Sequence, residues 1–348
     1  MRKGSYVYLT DEEWKQRIAR FDAIARSCTL CPRNCHVDRS AGERGYCDAP
    51  DGLFISSIFP HHGEEPPISG SGGSGTVFFS YCTLKCCFCQ NWQISHEAEG
   101  RFFTPEELAG KMVSLQEKGC HNINLVTATH FLPWLLRALR LAVNMGLTVP
   151  LVYNCGGYEH ASTIALLAGI VDIYLPDMKY GNDRPAQLFS RTANYRSFNR
   201  TSLREMFRQV GPLTIDDDGV ARHGLCVRHL VMPNDSAGSR AVLDFLKTVF
   251  DPADIFISLM GQYRPLYCAG DFPEINRAVT VQEYECVKDA FVKAGFRGFY
   301  QELDAIDGAF VINFKTRKEE ALTSSPAASG DEGNAETTAR TASESEVI

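Results

Sequence analysis

Apolar positions along the chain follow two rhythms. Over residues 10–26, Trp14, Ile18, Phe21 and Ala25 recur at the spacing of one helical face, behind a capping box offered by Thr10 and Glu13. From residue 76 onward, short uninterrupted apolar runs alternate with amphipathic stretches. The runs 76–81, 122–127, 148–153, 171–175, 225–231 and 255–260 read as six strands. Between and after them, helices are predicted from Thr104 to Gly119, over 132–145, 161–168 and 239–250, and from Thr280 to Gly295. Thr at the N-cap, Pro at the first turn and Gly past the end mark their limits. Strands that are apolar on both faces belong in a parallel sheet covered by helices. Six such units are too few for a closed eight-fold barrel. They predict an α/β fold, a partial (β/α)6 TIM-like barrel. A further strand is predicted at 53–59, and Asp216–Asp217–Asp218–Gly219 marks a hairpin rather than a calcium loop, since spaced ligands and a terminal Glu are missing.

Composition changes this picture little. The 348 residues are 44% hydrophobic and 22% charged, as in ordinary globular proteins. Three regions are expected: 1–52, a helix and cysteine-rich metal lobe; 53–314, the barrel; 315–348, a disordered acidic tail too poor in large apolar residues to fold. Of the net charge of −7, residues 318–348 carry −5, so the remainder offers no basic patch for nucleic acid. There is no apolar leader and no membrane-length apolar run. With 13 cysteines at metal-ligand spacings instead of a disulfide frame, a cytoplasmic location is expected. Gly70, Gly72 and Gly75 spell G-x-G-x-x-G, but the run precedes a strand and lacks a lysine, so it reads as a flexible lead-in. His61, His62 and Gly63–Glu64–Glu65 read as a polar loop at the rim of the site.

Two cysteine groups carry the chemistry. Cys82, Cys86 and Cys89 form C-x3-C-x2-C, three thiolates on one loop. A [4Fe–4S] cluster takes four thiolates, so three leave one iron free to bind a ligand. Cys87 is out of register and reads as a small filler facing away. The alternatives are buried structural cysteines or a zinc loop, but zinc favours a closed set of four ligands and no fourth is offered. Cys28, Cys31, Cys35 and Cys47 form C-x2-C-x3-C-x11-C, a closed set. It suits structural zinc and an auxiliary [4Fe–4S] cluster equally, with unliganded thiols as a third reading.

The three-cysteine loop, with Phe88 before its last cysteine, resembles the signature of the radical S-adenosylmethionine (SAM) superfamily. The resemblance implies a partial barrel, a [4Fe–4S] cluster whose open iron chelates SAM, and reductive cleavage of SAM to a 5′-deoxyadenosyl radical. Gly75–Phe79, Gln90–Asn91 and Pro176–Asp177–Met178–Lys179 are similar to the pyruvate formate-lyase activating-enzyme branch, and features of its activating-enzyme-like relatives run from Cys28 to about Pro265. By that resemblance Asp177 and Lys179 match an Asp-x-Lys whose lysine meets the SAM carboxylate, Arg228 also serves SAM, and Asn154 lies near the adenosine. Where most superfamily members carry Gly-Gly-Glu, this chain has Thr127–Ala128–Thr129–His130, which assigns the SAM amino group to the hydroxyls of Thr127 and Thr129 and to backbone. Tyr263 departs from the activases' histidine. Cys155 reads as a small buried residue, and His229 as a structural histidine facing the helices. The implied partners are an electron donor such as flavodoxin or ferredoxin and a glycyl-radical enzyme as protein substrate. The alternatives are radical modification of a small metabolite, peptide or nucleotide, and a non-catalytic iron–sulfur protein, against which the SAM-site residues argue.

Overall fold

The computed structural model describes residues 3–303, 312–317 and 345–347. Thr10 and Glu13 close the capping box, and α1 (Asp11–Ala25) buries Trp14, Phe21 and Ala25. The cysteine lobe follows without regular strands. Then come β1 (Leu53–His61), α2 (Pro66–Ser69), β2 (Ser74–Phe79), α3 (Trp92–Ser95), β3 (Arg101–Phe103) and α4 (Pro105–Glu117). The alternation continues through β4 (Ile123–Val126), α5 (Leu132–Asn144), β5 (Leu151–Cys155), α6 (Ala161–Ala165), β6 (Ile173–Pro176), α7 (Asp183–Ser190) and α8 (Tyr195–Val210). It closes with β7 (Thr214–Ile215), β8 (Ala221–Leu230), α9 (Ser239–Val249), β9 (Phe256–Met260), α10 (Val281–Lys293), β10 (Arg297–Gln301) and β11 (Ser345–Val347).

The strands lie in the order β11-β10-β9-β8-β6-β5-β4-β2-β1-β3. From β2 to β10 neighbours are parallel, so all six expected units are present and β10 adds a seventh parallel strand. This is the curled, helix-covered sheet of a partial TIM-like barrel. The 216–219 turn makes the expected hairpin, β7 pairing antiparallel with β8.

Several details differ from expectation. β1 is not part of a β/α unit. It runs antiparallel to β2, with Ile55 beside Phe79 and His61 beside Ser74. The 61–65 loop therefore emerges at the end of the barrel opposite the cysteine loop, not at the rim of the site. The glycine run is packed rather than flexible: a Cβ on Gly72 would lie 2.1 Å from the Gly119 carbonyl, and one on Gly75 2.8 Å from that of Asn122. Two helices, α7 and α8, fill the connection from β6 to β7, where only a hairpin is expected. Of the tail expected to be disordered, 318–344 and 348 lie outside the described residues. Residues 315–317 continue the turn after Phe314, and 345–347 pair antiparallel with β10.

Inside the barrel the side chains form layers. Val152, Ile173, Leu175, Cys226 and Ala221 build an apolar floor sealed by Ile68 of α2. Above it stand Asn124, Asn154, Asp177, Arg228 and Ser258, polar residues that are all buried or nearly so. On one side Phe59, Phe78, Ile94, Val126, Ile312 and Phe314 form a separate apolar cluster. Ser57 donates to the Arg317 carbonyl at 2.6 Å, and the Arg317 guanidinium lies 4.1 Å from the Phe59 ring centre. Residues 312–317 thus cover the open side of β1.

Candidate active site

β2 delivers the cysteine loop to the C-terminal end of the barrel, where β/α loops gather and active sites of such folds lie. Cys86 is buried, while Cys82 and Cys89 are half-buried. The thiols of Cys82 and Cys89 are pushed up by burial and next by the charge that Cys86 would carry, Cys89 to about 12. Cys82 adds to the shift at Cys89, and Lys179 counteracts the shift at both. Each sulfur also receives a hydrogen bond. The Leu84 N–H donates to Cys82 at 3.3 Å, the Ser190 hydroxyl to Cys86 at 3.0 Å, and the Ser95 hydroxyl to Cys89 at 3.2 Å. Donors aimed at sulfur stabilise thiolate and cluster sulfur alike.

Cys87 is knitted in differently. Its N–H donates to Phe189 O at 2.8 Å, and its carbonyl accepts from the Cys268 N–H at 2.9 Å. Among the described residues no group of three or more His, Cys, Asp or Glu is set to hold a single metal ion. The three-thiol set, its sulfur donors and its cation together fit a [4Fe–4S] group.

Behind the loop, four of the expected SAM residues are brought together. Asp177 follows β6 and bridges to Arg228 of β8. One Asp177 oxygen accepts from Arg228 Nε at 2.9 Å, and the other pairs with Lys179 Nζ. Arg228 also donates to Asn154 Oδ1 at 2.5 Å. Burial works against the Asp177 carboxylate, but Arg228 and Lys179 outweigh it and hold its carboxyl below the usual range. Burial likewise works against the Lys179 ammonium, and Asp177 and Cys86 outweigh it, so Lys179 stays charged between the carboxylate and the cysteines.

The two threonines separate. Thr127 sits at the end of β4 with φ of +60°, its N–H donating to the Asn154 carbonyl at 2.8 Å. Thr129 is buried, and its hydroxyl is committed to the Tyr153 hydroxyl at 2.8 Å and to Glu159 Oε1 at 2.9 Å. Tyr153 and Asn154 point to opposite faces of β5, so Thr129 is placed away from the Asp177 group. Cys155 shares the Glu159 side and is buried. His229 lies on the helix side, bonded to Met178 O at 2.7 Å and Ser239 Oγ at 2.9 Å. Tyr263 donates to Ile275 O at 2.7 Å and packs on Phe88.

Sequence reasoning missed several supports of this site. Glu64 enters from below: its Oε1 accepts from Asn124 at 3.0 Å and Asn154 at 3.4 Å, and its Oε2 lies 3.5 Å from Arg228. Glu65 beside it is buried, with one oxygen lacking any hydrogen-bond partner. Burial pushes both carboxyls up against the pull of Arg228. From α8, Tyr195 accepts the Lys179 N–H at 2.9 Å, and Asn199 donates to the carbonyls of Gly157 and Asp177 at 3.0 and 2.9 Å. Gly157 permits this approach: a Cβ there would lie 2.0 Å from the Asp177 carbonyl oxygen.

In the N-terminal lobe Cys28, Cys31 and Cys47 are buried and Cys35 is half-buried. Burial pushes up the thiols of Cys31 and Cys47; Cys28 and Cys47 add to the shift at Cys31, and Cys28 and Cys35 add to that at Cys47.

Residues 76–210 match the profile of the radical SAM superfamily. Over 270 residues the chain is 33% identical to an uncharacterised protein of Methanocaldococcus jannaschii, an alignment spanning 75% of this chain and 73% of that one. The chain belongs to the radical SAM superfamily. Among solved structures, methylornithine synthase is 12% identical with a TM-score of 0.43, over 83% of this chain and 75% of that one. HydG, a maturase of the [FeFe]-hydrogenase, is 12% identical with a TM-score of 0.41; 62% of this radical SAM chain is covered but only 48% of HydG. Among the described residues no helix is long and apolar enough to cross a membrane.

Proposed function

We propose that this radical SAM protein binds its cluster through Cys82, Cys86 and Cys89 and SAM through Asn154, Asp177, Lys179 and Arg228, and abstracts hydrogen from a backbone glycine of a partner enzyme. The observation that carries the SAM site is the Asp177–Lys179–Arg228–Asn154 group, which sets two cations and a side-chain amide directly behind the three cysteines. When bound, the cluster supplies one electron to SAM, which yields methionine and a 5′-deoxyadenosyl radical. The chain's own residues bind and orient: Lys179 offers its ammonium to the SAM carboxylate, Arg228 holds Asp177 and Asn154 in place, and the apolar floor excludes water. The glycyl substrate is supported by the Asp-x-Lys and Arg pattern shared with the activases, and an electron donor such as flavodoxin or ferredoxin belongs to the same reading. Cys28, Cys31, Cys35 and Cys47 are proposed as a second metal centre, zinc or iron–sulfur.

One observation favours a second reading, a small substrate bearing a cationic group. Among the described residues, Glu64, Glu65 and Asp177 set three buried carboxyls beside Arg228 and Lys179, and Glu65 keeps an oxygen with no hydrogen-bond partner. The test is anaerobic reconstitution with SAM and a reductant. Formation of 5′-deoxyadenosine by mass spectrometry is expected, and its absence from iron-loaded protein would overturn the SAM site. A persistent glycyl EPR doublet on an added glycyl-radical enzyme supports the first substrate; turnover without one, on a cationic metabolite, supports the second.

A further inference from the structure

Arg33 lies between Cys31 and Cys35 of the N-terminal lobe, yet its hydrogen bonds leave the lobe. Nε donates to the Thr83 carbonyl at 3.0 Å. One terminal nitrogen reaches the carbonyls of Leu84 at 3.4 Å and Ser190 at 3.0 Å, and the other reaches that of Arg191 at 2.5 Å. Thr83 and Leu84 are loop residues between the cluster ligands Cys82 and Cys86. Ser190 is the residue whose hydroxyl donates to the Cys86 sulfur, itself receiving a bond from Tyr180 at 2.6 Å. The guanidinium rests 3.5 Å from the ring centre of Tyr46, the neighbour of Cys47. One planar side chain, seated on the lobe, thus spends its fork of donors on the two segments that wall in Cys86. A lysine has the charge but not the fork. The loop needs such support, because Tyr81 and Lys85 hold left-handed φ of +66° and +52°, which non-glycine residues adopt at a cost.

We propose that Arg33 is a positioning residue for the radical SAM cluster, holding the Cys82–Cys86 loop and Ser190 in register so that the cysteine lobe governs hydrogen bonding at the Cys86 sulfur. A donor to a cluster sulfur favours the reduced, more negative state, so its loss makes the cluster harder to reduce. The lobe is then more than a fold stabiliser: its integrity is read at the electron-accepting centre.

The proposal rests on the cluster assignment given above, and the two fail differently. Reduced parent protein without a SAM-responsive EPR signal would sink the assignment itself. The test of Arg33 is a redox titration of the reconstituted cluster in full-length Arg33→Ala, Arg33→Lys, Ser190→Ala and the Arg33→Ala/Ser190→Ala double variant. Arg33→Ala is expected to shift the midpoint potential negative in the same direction as Ser190→Ala. Arg33→Lys should fall between Arg33→Ala and the parent, and the double variant should show no more than the larger single shift, since both act through one bond. Where Arg33→Ala does not fold, Tyr46→Leu, which removes the ring 3.5 Å beneath the guanidinium, takes its place and is expected to shift the potential likewise. A lowered melting temperature with parent-like potential and parent-like SAM-induced spectral change overturns the proposal, as does full additivity of Arg33→Ala with Ser190→Ala.

Discussion

Asp177 is a single buried carboxylate shared by two cations, with Arg228 on one oxygen and Lys179 on the other. The division of labour follows from chemistry. Arg228 is tied by its rigid fork to Asp177 and Asn154, whereas Lys179 is a flexible point charge next to the cysteines and is the one free to turn to an incoming carboxylate. Lys179→Met should keep the cluster's iron and colour but weaken SAM binding by about 2–4 kcal/mol, as when one partner of a desolvated charge pair is removed. SAM titration followed in the reduced cluster's EPR signal checks this, and parent-like binding would remove strand β6 from the cofactor. A second residue, Glu159, acts on stability. Burial raises its carboxyl from 4.5 to about 8, against the pull of Thr129. Folding therefore favours the protonated form, so its contribution is present below about pH 4.5 and is lost as pH rises to about 8. Glu159→Gln, which keeps the shape without the proton, should flatten the fall in melting temperature across that window. An unchanged slope would show that other groups set it.

At the scale of elements, the cysteine loop shows how register assigns ligands. Cys86 and Cys87 are adjacent, but the Cys86 sulfur is buried and accepts from the Ser190 hydroxyl, while the Cys87 backbone is tied to Phe189 and Cys268. Cys86→Ala should abolish 5′-deoxyadenosine formation and Cys87→Ala should retain it; the reverse pattern would mean that the loop ligates one residue out of step. The ligand spacing and the six β/α units were legible because both are local: a motif on one loop, and apolar runs of strand length between capped helices. What escaped was not local. α8 buries Asn199 and Ser202 along with Leu203 and Met206, so its inner face carries polar residues that hold Asp177 and weaken the apolar stripe that would announce a helix. β10 was hidden because Arg297 and Gly298 open it, and glycine is rarely a strand signal; here a Cβ would lie 1.9 Å from the Ile257 carbonyl. Glu64 and Glu65 read as a polar loop at the rim of the site, since nothing in a sequence reveals that β1 runs antiparallel and drops them beneath Arg228.

Across the whole molecule, the parallel part of the sheet runs from β2 to β10, with antiparallel β1 and β3 beyond β2 and β11 beyond β10, and among the described residues no ladder joins the two ends. The side beyond β1 is closed by residues 312–317, with Phe314 wholly buried and its ring centre 5.1 Å from that of Phe78. Phe314→Ala should therefore cost about 3–5 kcal/mol, the range for emptying a buried aromatic site. Chemical denaturation measures it, and a loss below about 1 kcal/mol, within the reach of a surface change, would place this segment outside the cooperative core. Among the described residues the closure combines ring contacts with polar bonds and uses no paired strands: Phe59 stacks on Phe78, Phe314 meets Phe78 edge-on, Arg317 lies over Phe59, Ser57 donates to the Arg317 carbonyl, and the Phe314 N–H donates to Gln93 Oε1 at 2.8 Å. Such a seam answers to temperature differently from a ladder of backbone hydrogen bonds. Apolar attraction fades on cooling, so the ring contacts lose strength in the cold while the polar bonds beside them do not. Cooling therefore acts on the rings of this edge before it touches the hydrogen-bond ladder of the parallel sheet.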